Sequence, residues 1–144
     1  MESYKSDAEE YSDESIEEGF KTELSSTDVL MMFEELKSFA EANDVNLFCC
    51  HLYSLGNNLL DEAFQEDPFA IPVSYIHALY EYVTLSGQLR LLNYFCLLLS
   101  SLLCADKFYF RICKEMSVFD TIYAVLETED LSTGTEYIFR LISL

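Results

Sequence analysis

At 144 residues, half of them apolar, the chain is long enough to bury one hydrophobic core and fits one domain, or one domain with a tail. Its 26 acids against 8 bases leave a net charge of −18, which repels nucleic acid and anionic membrane and attracts basic partners. After Lys37 the only bases are Arg90, Lys107, Arg111, Lys114 and Arg140, too few and too scattered along the sequence to suggest the basic patch that phosphate contacts require, so direct nucleic-acid binding is not expected.

Met1 to Ser26 holds nine acids (Glu2, Asp7, Glu9, Glu10, Asp13, Glu14, Glu17, Glu18, Glu23) and two lysines, with serines between them. Such a stretch buries too little apolar surface to offset its ordering entropy. Residues 1–26 are therefore expected to be a disordered acidic tail in front of a folded domain over 27–144. Ser6 with Glu9 and Ser15 with Glu18 have the spacing an acid-directed kinase prefers, which any Ser/Glu-rich tail produces by chance. The opening MESYKSDAEEYSDE has neither a signal-peptide nor a transit-peptide pattern, so a cytoplasmic or nuclear location is expected.

Folded structure is expected from about Thr27 or Asp28, where Met32, Phe33, Leu36, Phe39 and Ala40 recur at helical spacing behind a polar cap. A second helix should run from about Val45 to Leu60. Within it, His51 stands beside Cys49 and Cys50, but adjacent residues diverge on a helix and no second ligand pair follows at a useful spacing. No metal and no other cofactor is expected. The stretch DEAFQEDPFAIP, with Phe64 and Phe69, should form a short turning helix, and Pro72 suits the first turn of the helix after it. That helix carries Tyr75, Ile76, Leu79, Tyr82 and Val83.

The segment Gln88 to Cys104 is the most apolar in the chain. Leu91, Phe95, Leu98 and Leu102 lie on one helical face. The apolar run Leu91 to Ala105 falls short of the roughly 20 residues that span hydrocarbon, contains Asn93, and is flanked by Arg90 and Asp106. A buried helix is expected, not a membrane span. ADKFYFRICKEM then repeats the short turning element with Phe108 and Phe110. Val118, Phe119, Ile122, Val125 and Leu126 mark a further helix, with Ser117 and Asp120 at a loose capping-box spacing. A last helix is expected from Ser132 to Leu144, started by the capping box Thr133 and Glu136.

These elements repeat. A shift of 43 residues superposes Leu52, Phe95 and Ile138, and likewise Leu55, Leu98 and Leu141. The same shift superposes the first-helix sets, and all fifteen of those positions are apolar or aromatic. Repetition without an insertion over three copies points to a stacked helical-repeat architecture with little or no strand. The five cysteines, Cys49, Cys50, Cys96, Cys104 and Cys113, form an odd set without CxxC spacing and read as free, mostly buried thiols.

A unit of about 42 residues, built from a short helix and two longer packed ones, resembles the armadillo repeat, with the HEAT repeat close in length. The likeness is clearest over Lys114 to Leu144, KEMSVFDTIYAVLETEDLSTGTEYIFRLISL. There a short turn leads to a helix ending in an apolar-x-x-apolar-Leu run, an acidic hinge and a groove-lining helix; Ser117 stands where the family usually has Gly. The resemblance implies an all-α, right-handed α-solenoid of about three armadillo-like repeats over Asp28 to Leu144. In importin alpha, the nuclear-import adaptor of that family, the last helix of each unit carries Trp-x-x-x-Asn, which grips a basic peptide. The matching places hold Tyr53-x-x-x-Asn57, Cys96-x-x-x-Ser100 and Phe139-x-x-x-Ser143; Trp is absent, and acid replaces the adaptors' basic N-terminal segment.

Stacking of such units would place Cys50, Tyr53, Asn57, then Asn93, Cys96, Ser100, then Glu136, Phe139, Ser143 in three rows on one concave surface. Amides and hydroxyls there could bond the backbone of an extended peptide, with Tyr53 and Phe139 packing its side-chain stems. The net charge of −11 over Asp28 to Leu144 favours a basic peptide. A non-catalytic protein-binding module is the expected function. An import adaptor for nuclear-localisation peptides, or a structural adaptor or chaperone cofactor binding a folded partner by an outer face, are the alternatives. No Gly-rich loop, nucleophile elbow or metalloprotease motif argues for an enzyme. The pattern also predicts apolar continuation at Leu144, equivalent to Leu59, Leu60 and Leu102, Leu103. A short last helix, a homodimer or end-to-end contact through the C-terminal repeat, or a longer array would each accommodate it.

Overall fold

The computed structural model describes residues 25–128 and 134–144, and among these every regular element is a helix. In chain order they are α1 (Ser26–Glu41), α2 (Val45–Asn58), α3 (Glu62–Glu66), α4 (Val73–Ser86), α5 (Leu89–Ala105), α6 (Phe108–Glu115), α7 (Val118–Thr128) and α8 (Glu136–Ile142). Of the expected tail over 1–26, residues 1–24 lie outside the described residues, as does the capping residue Thr133, whereas Ser25 and Ser26 begin α1.

Local chemistry sets most helix ends. Ser25 caps α1, its Oγ accepting from the Asp28 amide at 3.1 Å, so the folded domain begins slightly before the expected Thr27. Asp44 caps α2 through the Leu47 amide at 3.3 Å, and Asp61 caps α3 through the Ala63 amide at 3.0 Å. Pro72 precedes α4 as its N-cap, and Gln88 occupies the same place before α5. After α1 and α4 the chain reverses through left-handed residues, Asn43 at φ 54° and Gly87 at φ 66°. Ser117, where the armadillo pattern expects glycine, also has positive φ, at 57°.

The repeated positions form the core. Leu52, Phe95 and Ile138 are fully buried, as are Leu55 and Leu98, with Leu141 nearly so. All fifteen first-helix positions are buried or half-buried. Helix α5 is the hub: it packs most extensively against α2 on one side and α8 on the other, and also touches α3, α4 and α6. Equivalent helices are pinned side by side. The Tyr75 hydroxyl donates to Glu34 Oε2 at 2.8 Å and the Tyr82 hydroxyl to Asn43 Oδ1 at 2.9 Å. The Tyr80 and Thr121 hydroxyls lie 2.6 Å apart, and Arg90 Nη2 donates to Asn46 Oδ1 at 3.1 Å.

One glycine lets α2 come unusually close to α5. A Cβ on Gly56 would lie 2.8 Å from Leu97 Cγ and 3.4 Å from the Leu98 backbone nitrogen. Through that approach the Ser101 hydroxyl reaches the Gly56 carbonyl at 2.7 Å, with the Leu97 carbonyl also 3.0 Å away. A buried hydroxyl is thereby satisfied, which an apolar interior requires.

Candidate binding surface

Wrapping of α5 from both sides decides which polar residues can meet a partner. Asn93, Cys96 and Ser100, the expected central row of a groove, are buried at 3%, 0% and 2% exposure. The helical spacing of its apolar residues alone implies that α5 is packed on one face and open on the other. Instead α2 and α8 both close on it, leaving Arg90 and Cys104 as its exposed residues. The nine expected residues therefore do not share one open surface.

Each buried member has a structural partner. Asn93 Oδ1 accepts from the Tyr137 amide at 2.9 Å and the Ile138 amide at 3.1 Å. The first amides of a helix have no intrahelical acceptor, and Thr135, at the N-cap of α8, makes no side-chain cap bond. Asn93 supplies the cap from the neighbouring helix. The Ser100 hydroxyl is turned back onto the Cys96 carbonyl at 2.8 Å. Burial pushes the Cys96 thiol far up, with a small addition from Cys113, so it stays protonated and unreactive.

The remaining six lie on exposed parts of α2 and on or just after α8. Cys50, Tyr53 and Asn57 are exposed, as are Glu136, Phe139 and Ser143, although the Ser143 hydroxyl is bonded to the Phe139 carbonyl at 2.8 Å. What joins α2 to α8 is aromatic. The Tyr53 ring lies 5.5 Å from Tyr94 of α5 and 6.3 Å from Tyr137 of α8, and Tyr94 and Tyr137 are 6.0 Å apart. Three tyrosines from three adjacent helices thus meet over the hub and close the space expected to be a groove. Tyr53 is 43% exposed; the other two are half-buried.

Tyr94 and Tyr137 were not among the expected site residues. The signal was present, since they stand 43 residues apart, but Tyr53 pairs with Tyr94 and not with Cys96, an offset two residues shorter than the repeat. The Arg140 guanidinium lies over the Tyr137 ring, 5.1 Å from its centroid. Burial, then the neighbouring Tyr53 hydroxyl, pushes the Tyr137 phenol up, with Arg140 acting in the opposite sense. The Tyr137 phenol therefore stays neutral at physiological pH. It offers ring faces and hydroxyls to a partner, and the Arg140 geometry shows that one of those faces accommodates a cation.

His51 is engaged within its own helix, its Nδ1 3.0 Å from the Leu47 carbonyl and its ring against Phe39 at 4.7 Å. Among the described residues no group of three or more His, Cys, Asp or Glu could hold a metal ion, and no helix is long and apolar enough to cross a membrane. Comparison with family models, with curated proteins and with solved structures returned no match, so the armadillo likeness rests on the sequence pattern.

Proposed function

We propose that the chain is a non-catalytic protein-binding module, built as a tightly curved, right-handed stack of about three armadillo-like units. It captures an extended basic segment of a partner on the Tyr53–Tyr94–Tyr137 surface. The stack is supported by hydrogen bonds joining residues 39, 41 and 44 apart, each close to one repeat length. The observation carrying the function is the tyrosine cluster itself. Tyrosines combine a large apolar ring with a hydroxyl and dominate binding energy at protein interfaces. Exposed Asn57, Glu136 and Phe139 extend the surface on either side.

A basic partner follows from two features. The chain is strongly acidic, which raises the encounter rate with cationic segments. Arg140 over Tyr137 gives an internal example of the contact a partner arginine could make on the more exposed Tyr53 ring. Nuclear-import recognition is not favoured, because the Cys96 and Ser100 row that a continuous peptide ladder needs is buried. Titration of a fluorescent Arg-rich peptide against the wild type and Tyr53→Ala tests the reading. Loss of about 2 kcal/mol, roughly 30-fold in affinity, is expected for a central anchor. Equal affinity of the two proteins sinks it.

A second reading has its own observation. Leu85 on α4 is 79% exposed and Met31 on α1 is 59% exposed, so two helices that carry none of the three tyrosines also present large apolar side chains to solvent. An adaptor docking a folded partner there would bind indifferently to Tyr53→Ala but lose affinity with Leu85→Ser.

A further inference from the structure

Three of the few bases in the chain converge where the fold leaves an apolar hollow. Lys107, Arg111 and Lys114 follow at i, i+4 and i+7 along α6 and its N-cap, and all three are exposed. None makes an ion pair among the described residues; Lys114 lies over the Phe110 ring at 5.8 Å. Beside them a hollow of about 640 Å³ is lined by Leu103, Phe110, Phe119, Leu141, Ile142 and Leu144, with Lys107 at its rim. Phe110 is 49% and Leu144 62% exposed. A hollow of this size takes one or two large apolar side chains, and the adjoining cations call for acids around them.

The chain carries such a segment outside the described residues. Ile16, Phe20 and Leu24 recur every fourth position among Asp13, Glu14, Glu17, Glu18 and Glu23. That is an apolar stripe with an acidic surround, the complement of an apolar hollow beside a basic helix. We propose that the hollow and the Lys107–Arg111–Lys114 face dock the chain's own acidic segment around Ile16 and Phe20.

The connectivity permits this. Asn58, at the end of α2, reaches Met32 in the second turn of α1 at 3.9 Å, so α1 starts near the end at which α2 finishes. Ser101, near the C-terminus of α5, bonds to Gly56, and α8 finishes in the same hollow as Leu103. The residue that leads into α1 and the hollow therefore lie toward the same end of the molecule. α1, α4 and α7 stand side by side, joined by the Tyr75–Glu34 and Tyr80–Thr121 bonds, so two inter-helix spacings of about 10 Å each separate the start of α1 from Phe119 at the hollow. Nine residues from Ile16 to Ser25 extend to about 30 Å, enough to cross them. A segment tethered at this length has an effective concentration in the millimolar range, so modest contacts suffice to keep it docked.

Zero-length carbodiimide crosslinking of the full chain, followed by peptide mapping of the monomeric fraction, tests the proposal. Amide links from Lys107 or Lys114 to Glu14, Glu17 or Glu18 are expected in excess of links from Lys37, an exposed lysine on α1. In the Ile16→Ser, Phe20→Ser double variant, which leaves every described side chain unchanged, the yield of those links should fall about tenfold, as for loss of a partly buried apolar contact. Links spread equally over Lys37, Lys107 and Lys114 overturn the proposal. So does an undiminished yield in the double variant, or links confined to a crosslinked dimer, which would place the segment in a second copy.

Discussion

Replacing Asn93 by alanine separates two roles that sequence alone confuses. In the structure its Oδ1 accepts from two amides of α8, at 2.9 Å to Tyr137 and 3.1 Å to Ile138, in a site 3% exposed. Losing a helix N-cap costs about 1 kcal/mol. Leaving a buried donor without an acceptor costs about 1–3 kcal/mol more. Asn93→Ala should therefore lose roughly 2–4 kcal/mol of unfolding free energy, a large share of the about 5–15 kcal/mol typical of a domain. Urea denaturation followed by far-ultraviolet circular dichroism measures it, with the midpoint falling at nearly constant slope. Asn93→Asp keeps an acceptor facing the amides and should recover part of the loss. If Asn93→Ala were as stable as wild type yet bound peptide more weakly, Asn93 would be a ligand-facing residue and the capping argument would be wrong.

Other substitutions probe the same framework. Gly56→Ala forces a Cβ to 2.8 Å from Leu97 Cγ and should destabilise by about 1–3 kcal/mol, measurable by the same denaturation; neutrality would mean α2 and α5 are less closely packed than described. Ser117 has φ 57°, so Ser117→Gly should stabilise by up to about 1 kcal/mol by relieving left-handed strain, against the greater chain entropy of glycine. A thiol reagent should modify Cys50 and Cys104 in the native protein and reach Cys49, Cys96 and Cys113 only on unfolding. Burial pushes Cys113 up to about 11 and Cys96 higher, from an ordinary thiol value of 9.0. The unfolded state thus loses these protons first, so stability is fully retained below pH 9 and falls as pH rises toward 11 and beyond. The limiting slope is about 1.4 kcal/mol per pH unit per thiol. Cys96→Ala should flatten that decline, and an unchanged profile would refute the assignment.

The core was legible because burial repeats with the helix and with the unit. Leu52, Phe95 and Ile138 needed only a shift of 43 residues to be matched, and all three are fully buried. The surface was not legible by the same rule. Whether a polar residue on α5 faces solvent depends on how closely α2 and α8 approach, and on the α2 side that rests on one missing Cβ at Gly56. Asn93 reads as a ligand-binding amide in the sequence because the donors to its Oδ1, the backbone amides of Tyr137 and Ile138, are 44 and 45 residues away and carry no side-chain signature. The Tyr53–Tyr94 pairing slips two residues from the repeat, enough to hide Tyr94 from an alignment of equivalent positions. Lys107, Arg111 and Lys114 have a readable helical spacing, but the strongly acidic total masks a local basic face.

Capture of a basic segment on the tyrosine cluster can be read residue by residue when an Arg-rich extended peptide is titrated into the isotope-labelled full chain and followed by nuclear magnetic resonance. Capture there should give saturable shifts centred on Tyr53, Tyr94 and Tyr137, spreading to Asn57 and Phe139, with Leu85 unaffected. Shifts centred on Leu85 and Met31, or no saturable shift at all, would contradict it.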